Sequence, residues 1–88
     1  MRCTLQIVEL SQAFEREFVI KLSTTAIAPF VWLQAGSIMG RFSDNGFLMH
    51  KPTTMVKFTA WQDVDYHRLH AALTVHSLLD VYKSYELQ

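Results

Sequence analysis

Hydrophobic residues recur at every second position in several short stretches of the chain, which is the spacing of β-strands with one buried face. Three stretches show this alternation clearly. Their inward positions are Leu5 and Ile7 in residues 4–10, Phe18, Ile20 and Leu22 in residues 17–22, and Val56, Phe58 and Ala60 in residues 54–60. Each stretch is therefore predicted to be a half-buried strand.

Residues 30–34 predict a strand of a different kind, because neither of its faces is polar. Such a strand is usually central in its sheet or covered on its outer side. Trp32 is predicted to be a core residue of this strand. Two further short strands are expected at residues 47–49 and 73–78, and residues 36–46, which hold all three glycines, are expected to be irregular.

One segment departs from the strand pattern. Residues 63–72 are the candidate for a helical turn, with Asp63 or Asp65 as its N-cap. A helix here would bring His67 and His70 to one face, because they are three residues apart. Zinc sites generally add cysteines or a second histidine pair to such a spacing, so we expect no metal site.

The predicted elements amount to six or seven short strands with turns about every 8–12 residues, which is typical of an immunoglobulin-like sandwich. The fold class is therefore predicted to be all-β, with antiparallel strands. Since 88 residues are the size of one domain, residues 1–88 are interpreted as a single one. The disulfide that often joins the two sheets of such sandwiches is excluded, because Cys3 is the single cysteine.

Composition narrows the classes of function. Hydrophobic residues make up 50% of the chain and charged residues 18%, which excludes an intrinsically disordered protein. Eight basic residues balance eight acidic ones, and no basic stripe for nucleic-acid phosphates is visible. The longest apolar run, residues 26–33, is far shorter than the ~18 residues of a membrane span. We expect no nucleic-acid partner, no membrane partner and no cofactor.

Residue types that catalyse reactions are present, but their pattern does not favour catalysis. His76 and Ser77 are adjacent on a predicted strand, so their side chains point to opposite faces and cannot form a nucleophile–base pair by spacing alone. Glycosidases need two carboxylates about 5–10 Å apart across a cleft, which a small sandwich does not offer. We expect no catalytic residue in this chain.

Trp61 follows the strand of residues 54–60 at an outward position and is the candidate for an exposed aromatic residue. An exposed ring can stack on a sugar or dock against a neighbouring domain. The two possibilities differ in the surroundings of the ring, because a sugar site needs polar neighbours and a docking surface is flatter and more apolar. We do not expect direct sugar binding.

The chain resembles a known family, and the resemblance is strongest in residues 28–49. The motifs that support it are GRFSDNGF (residues 40–47), VKF (residues 56–58) with Trp61, and the ending SLLDVY (residues 77–82). Residues 6–82 resemble the C-terminal immunoglobulin-like domains of animal lysosomal β-mannosidases, which belong to glycoside hydrolase family 2. Residues 83–88 have no counterpart and are interpreted as a tail.

The resemblance implies a family that removes terminal, non-reducing β-D-mannose from oligosaccharides in lysosomes, with retention of configuration. The acid/base and the nucleophile of that family are two glutamates of a (β/α)₈ barrel, and no position of this chain matches them. The resemblance therefore implies a non-catalytic C-terminal accessory domain, whose partners are the remaining domains of a longer glycosidase. The alternative is a stand-alone immunoglobulin-like module that binds a carbohydrate or a protein.

The loop from Arg41 to Phe47 is the candidate structural or docking element. The planar guanidinium of Arg41 can hold a carboxylate at two points. Asp44 and Asn45 can bond to the backbone of their own turn. Phe42 and Phe47 are expected to anchor the two ends of the loop in the core. The loop either fixes the sandwich internally, which we favour, or docks it onto a neighbouring domain.

Overall fold

The computed structural model describes residues 5–25 and 27–78. Seven strands and one helix follow one another along this part of the chain. They are β1 Leu5–Gln12, β2 Glu17–Thr24, β3 Ala28–Gln34, β4 Gly40–Phe42, β5 Phe47–Met49, β6 Thr53–Ala60, α1 Tyr66–Ala72 and β7 Thr74–His76. The predicted all-β class is confirmed. Cys3 and the tail predicted at residues 83–88 lie outside the described residues.

The strands form two antiparallel sheets, ordered β1-β2-β6-β4 and β5-β3-β7. β3 is central in the second sheet, as its two apolar faces predict. The core between the sheets contains Phe18, Ile20 and Leu22 of β2, Val56 and Phe58 of β6, Ala28, Val31 and Leu33 of β3, and Met49 of β5.

The pairing of β2 with β6 forms the centre of the first sheet. Phe18 lies opposite Phe58, and Ile20 lies opposite Val56. All four side chains are at most 1% exposed. Full burial of a side chain of this size stabilises the fold by about 1.5–3 kcal/mol, so this pair of strands contributes strongly to the core.

β1 changes its inward face halfway along. Leu5 and Ile7 pack against the core, as the alternation predicts. A register shift between Ile7 and Glu9 then moves the inward positions by one residue. As a result, Leu10 is the next buried side chain and Val8 is 46% exposed.

Trp32 is not a core residue, and the prediction that it would be was wrong. Val31 and Leu33 on either side of it point into the core. Because successive residues of a strand alternate between faces, Trp32 lies on the outer face of the second sheet. It is half-buried there, and its ring stacks on that of His76 with 5.4 Å between the ring centroids.

The stretch that we expected to be irregular contains a strand. β4 pairs with the end of β6, with Gly40 opposite Ala60 and Phe42 opposite Phe58. A glycine is needed at the first position, since a Cβ on Gly40 would lie 2.5 Å from the carbonyl oxygen of Thr59 and equally close to the Phe58 ring. Three residues are too few for an alternation to be recognised in the sequence.

α1 begins directly after Asp65, which is one of the two predicted caps. The carboxylate of Asp65 accepts hydrogen bonds from the backbone N–H groups of the second and third helical residues. Asp63 instead forms an ion pair with Arg16, with 2.9 Å between Oδ1 and Nε. The helix packs on the core through Leu69, which is fully buried.

Replacing Asp65 with alanine is expected to lower the free energy of unfolding by about 1 kcal/mol, because two backbone N–H groups lose their acceptor. Asp63→Ala is the matched control, since its ion pair is solvent-exposed and such pairs contribute about 0–1 kcal/mol. Urea unfolding followed by circular dichroism measures both variants. A larger loss for Asp63→Ala than for Asp65→Ala would contradict the assignment of the cap.

Candidate functional site

The loop from Arg41 to Phe47 is bonded to the second sheet through Asn45. The backbone N–H of Leu33 donates to Oδ1 of Asn45 at 2.7 Å, and Nδ2 of Asn45 donates to the Leu33 carbonyl at 3.4 Å. Val31 pairs with Phe47, so the next position of the ladder places residue 45 opposite Leu33. The amide of Asn45 thus continues the ladder beyond β5. The Asn45 side chain therefore bonds to β3 and not to its own turn. It supplies the partners that the backbone N–H and carbonyl of Leu33 would otherwise lack at this edge of β3.

The same loop is bonded to the first sheet through Ser43. The N–H of Ser43 donates to the carbonyl of Lys57 at 2.8 Å, and the Lys57 N–H donates to Oγ of Ser43 at 2.9 Å. Gly46 adds a bond from its N–H to the carbonyl of Val31 at 2.7 Å, with a φ of 72° that glycine adopts without strain. The loop therefore connects β6 of one sheet with β3 of the other.

Phe42 and Phe47 lie at the two ends of the loop, and both rings are half-buried against the core. The Phe42 ring centroid lies 4.7 Å from that of Phe58. Arg41 and Asp44 are exposed. Among residues 5–25 and 27–78, no carboxylate lies within ion-pair distance of the Arg41 guanidinium and no hydrogen bond holds the Asp44 side chain. The polar bonds of the loop are made by other side chains.

Sequence reasoning did not single out Ser43. Serine and asparagine commonly bond to backbone groups near turns, so both residues carried a signal for such bonds. The signal did not indicate the partners, which lie 14 residues away for Ser43 and 12 residues away for Asn45.

Trp61 lies directly after β6, and its side chain is 57% exposed. Its backbone is held on two sides, because its N–H donates to the Met39 carbonyl at 3.0 Å and its carbonyl accepts from Nη1 of Arg16 at 3.4 Å. The ring lines an open groove beside Phe14 and Arg16, and also a depression of about 200 Å³ that extends to α1. Trp61 is thus an exposed ring on a fixed backbone, with the Arg16–Asp63 ion pair beside it.

The histidines of α1 contact a tyrosine. The Tyr66 ring centroid lies 5.5 Å from that of His67 and 6.1 Å from that of His70, and the Tyr66 hydroxyl donates to the carbonyl of Leu10 at 2.7 Å. Within the described ranges, no group of three or more His, Cys, Asp or Glu side chains could hold a metal ion. No helix of those ranges has the length and apolar character needed to cross a membrane.

The two residues that we considered as a nucleophile–base pair lie in different environments. His76 is half-buried on the outer face beside Trp32, whereas Ser77 is 2% exposed. Asp80, the acid nearest to them in the sequence, lies outside the described residues.

Comparison with known proteins agrees with this architecture. The Ig_mannosidase family model, described as an Ig-fold domain, matches residues 5–81. Over 65 residues the chain is 52% identical to a β-mannosidase of Mus musculus, 54% identical to one of Rattus norvegicus and 52% identical to one of Bos taurus. The matched segment is 74% of this chain and 7% of each relative. The chain therefore corresponds to a small part of the length of these relatives.

Replacing Asn45 with alanine is expected to lower the free energy of unfolding by about 1–3 kcal/mol, because Leu33 is left with two unpaired backbone groups. Thermal unfolding should show a lower Tm by roughly 4 °C or more, at about 4–8 °C per kcal/mol for a domain of this size.

Asp44→Ala and Arg41→Ala are the matched controls for this substitution, since both side chains belong to the same loop and point into solvent. Their Tm should stay close to that of the unsubstituted chain. A loss for Arg41→Ala as large as that for Asn45→Ala would show that the guanidinium also fixes the loop and would contradict this assignment.

Proposed function

The chain belongs to the Ig_mannosidase family of Ig-fold domains, and on this basis we propose that it is a non-catalytic accessory domain of a β-mannosidase-like glycosidase. The observation that carries the proposal is the identity of 52–54% to three β-mannosidases over a segment that makes up 7% of their length. The remaining domains of the longer protein would supply the catalytic groups, and the domain would support them by packing.

The acidic residues support a non-catalytic role. A glycosidase needs two carboxyl groups that face each other across a cleft about 5–10 Å wide, where the environment sets their different roles. Every acidic side chain in the described part of the chain is exposed to solvent: Glu9, Glu15, Glu17, Asp44, Asp63 and Asp65. None of them has the sheltered environment that catalysis by this chain alone would need.

The loop from Arg41 to Phe47 has a structural role within this proposal. The bonds of Asn45 and Ser43 to opposite sheets support internal fixing of the sandwich, which is the first of the two roles that the sequence left open.

The activity of the longer protein is part of the same proposal. From the membership of this chain in the Ig_mannosidase family, we propose that the longer enzyme removes terminal, non-reducing β-D-mannose from oligosaccharides in the lysosome.

The proposal is tested by a chimera in which the matched segment of this chain replaces the corresponding 65 residues of the Mus musculus β-mannosidase. We expect the chimera to hydrolyse a chromogenic β-D-mannoside, because the segment supplies support and not chemistry. The isolated 88-residue chain should show no hydrolysis above that of buffer.

The control for this experiment is the same exchange made with the segment of the Bos taurus relative. If that chimera is active while the one carrying this chain is not, the chain does not serve as the accessory domain. Hydrolysis by the isolated chain would also contradict the proposal.

A second candidate function is carbohydrate binding at Trp61, which is favoured by the exposed ring beside the Arg16–Asp63 ion pair. NMR titration with mannose and short β-mannosides, following the indole N–H signal of Trp61, separates the two functions. We expect no change in this signal, because the adjacent groove is open and does not enclose a sugar ring. A saturable shift that is absent in Trp61→Ala would favour the carbohydrate-binding module.

A further inference from the structure

The outer surface of the second sheet presents exposed apolar side chains and no Asp, Glu, Lys or Arg residue of its strands. Its apolar part is formed by Phe30, Trp32 and Leu48, which together with His76 we call the Phe30 face. Gln34 and Thr74 lie on the same side of the sheet and border this face with polar side chains. Phe30 is 56% exposed and Leu48 is 58% exposed. None of the strands β3, β5 and β7 contains an Asp, Glu, Lys or Arg residue.

The outer surface of the first sheet differs in this respect. Each of its four strands contributes a charged residue that is not buried: Glu9 of β1, Glu17 and Lys21 of β2, Arg41 of β4 and Lys57 of β6. Charged side chains at these positions keep that surface hydrated. Of the two outer sheet surfaces, the one that carries the Phe30 face is therefore better suited to contact with another protein surface.

Phe30 is held in a strained conformation that exposes its ring. Its φ is 48°, and it lies where the register shifts between Ala28 and Val31. A bulky residue with a positive φ is an outlier, and such strain is typically retained at functional positions. Burial does not offset the strain, because more than half of the side chain is exposed. The ring instead lies over Gly46, where a Cβ would come within 3.2 Å of it.

The geometry of Trp32 favours a polypeptide as the occupant of this face over a sugar. A sugar ring stacks on an open aromatic face, but the His76 imidazole already stacks on the Trp32 indole, at an interplanar angle of 26°. Phe30 packs against the same indole at 61°, with 6.0 Å between the centroids. Rings that cover one another in this way present edges, which fit between the side chains of a protein surface.

We propose that the Phe30 face is the surface through which this domain docks onto the rest of a β-mannosidase polypeptide, and that the partner surface is apolar and uncharged. This inference rests on the proposed function. The matched segment is 7% of each relative, so most of such a polypeptide lies outside the domain and is covalently joined to it. A tethered partner has a high effective concentration, so a modest apolar contact suffices.

The test compares Phe30→Asn in the isolated chain and in the Mus musculus chimera. Asparagine accepts a positive φ more readily than phenylalanine, so the isolated chain should keep its Tm or gain a few degrees. The chimera should lose Tm, and its activity should decay at least several-fold faster on heating, because the docking ring is absent. Leu48→Ser should act in the same direction.

Met55→Ser is the matched control, since Met55 is 61% exposed on β6 of the opposite sheet. It should leave the Tm and the decay rate of the chimera unchanged. If Phe30→Asn and Leu48→Ser behave like Met55→Ser in an active chimera, the inference is wrong. If Phe30→Asn lowers the Tm of the isolated chain and the chimera equally, the ring is structural and the inference is also wrong.

Two further results of these experiments would also count against the inference. A chimera that is inactive before any substitution, while the Bos taurus control is active, contradicts the proposed function itself and with it the inference. The isolated chain then shows whether the domain folds. A dimer of the isolated chain that Phe30→Asn dissociates, together with an unaffected chimera, assigns the face to a second copy of the chain and overturns the inference.

Discussion

The packing of β2 and β6 against β3 is the contact on which the rest of the structure depends. Phe18 and Phe58 of the first sheet share the core with Val31 of the second sheet, and all three side chains are at most 1% exposed. Every other strand is placed relative to this contact, because each pairs with one of these three strands. A sandwich of this size uses its inner faces to fold, so interaction with partners is left to its outer faces and ends.

The connection between the two sheets illustrates how the fold supports the loop from Arg41 to Phe47. The loop passes from β4 of the first sheet to β5 of the second, and Ser43 and Asn45 bond to the sheets at its two ends. Lys57 of β6 and Leu33 of β3 have no partner residue in the short strands β4 and β5 at these positions, so Ser43 and Asn45 bond to their backbone groups instead. These bonds support the structural role that we propose for the loop, which leaves the Phe30 face as the surface suited to a partner.

The sequence predicted the strands whose two faces differ, and it was less informative where they do not. β2 and β6 alternate between apolar and polar residues, so their inner faces could be read directly. β3 is apolar on both faces, so periodicity could not show that Trp32 points outward. The strain at Phe30 and the partners of Asn45 depend on contacts between distant parts of the chain, which a single sequence does not reveal. Asp63 and Asp65 both satisfied the rule for a helix cap, and the ion pair with Arg16 distinguishes them.

We propose a domain whose core lies between its two sheets and whose Phe30 face is covered in a longer protein. Hydroxyl-radical footprinting of the isolated chain and of the same segment within the β-mannosidase chimera tests this claim directly. We expect Phe30 and Leu48 to be modified in the isolated chain and protected in the chimera, and Met55 to be modified equally in both. Equal modification of Phe30 and Leu48 in the two proteins would contradict it.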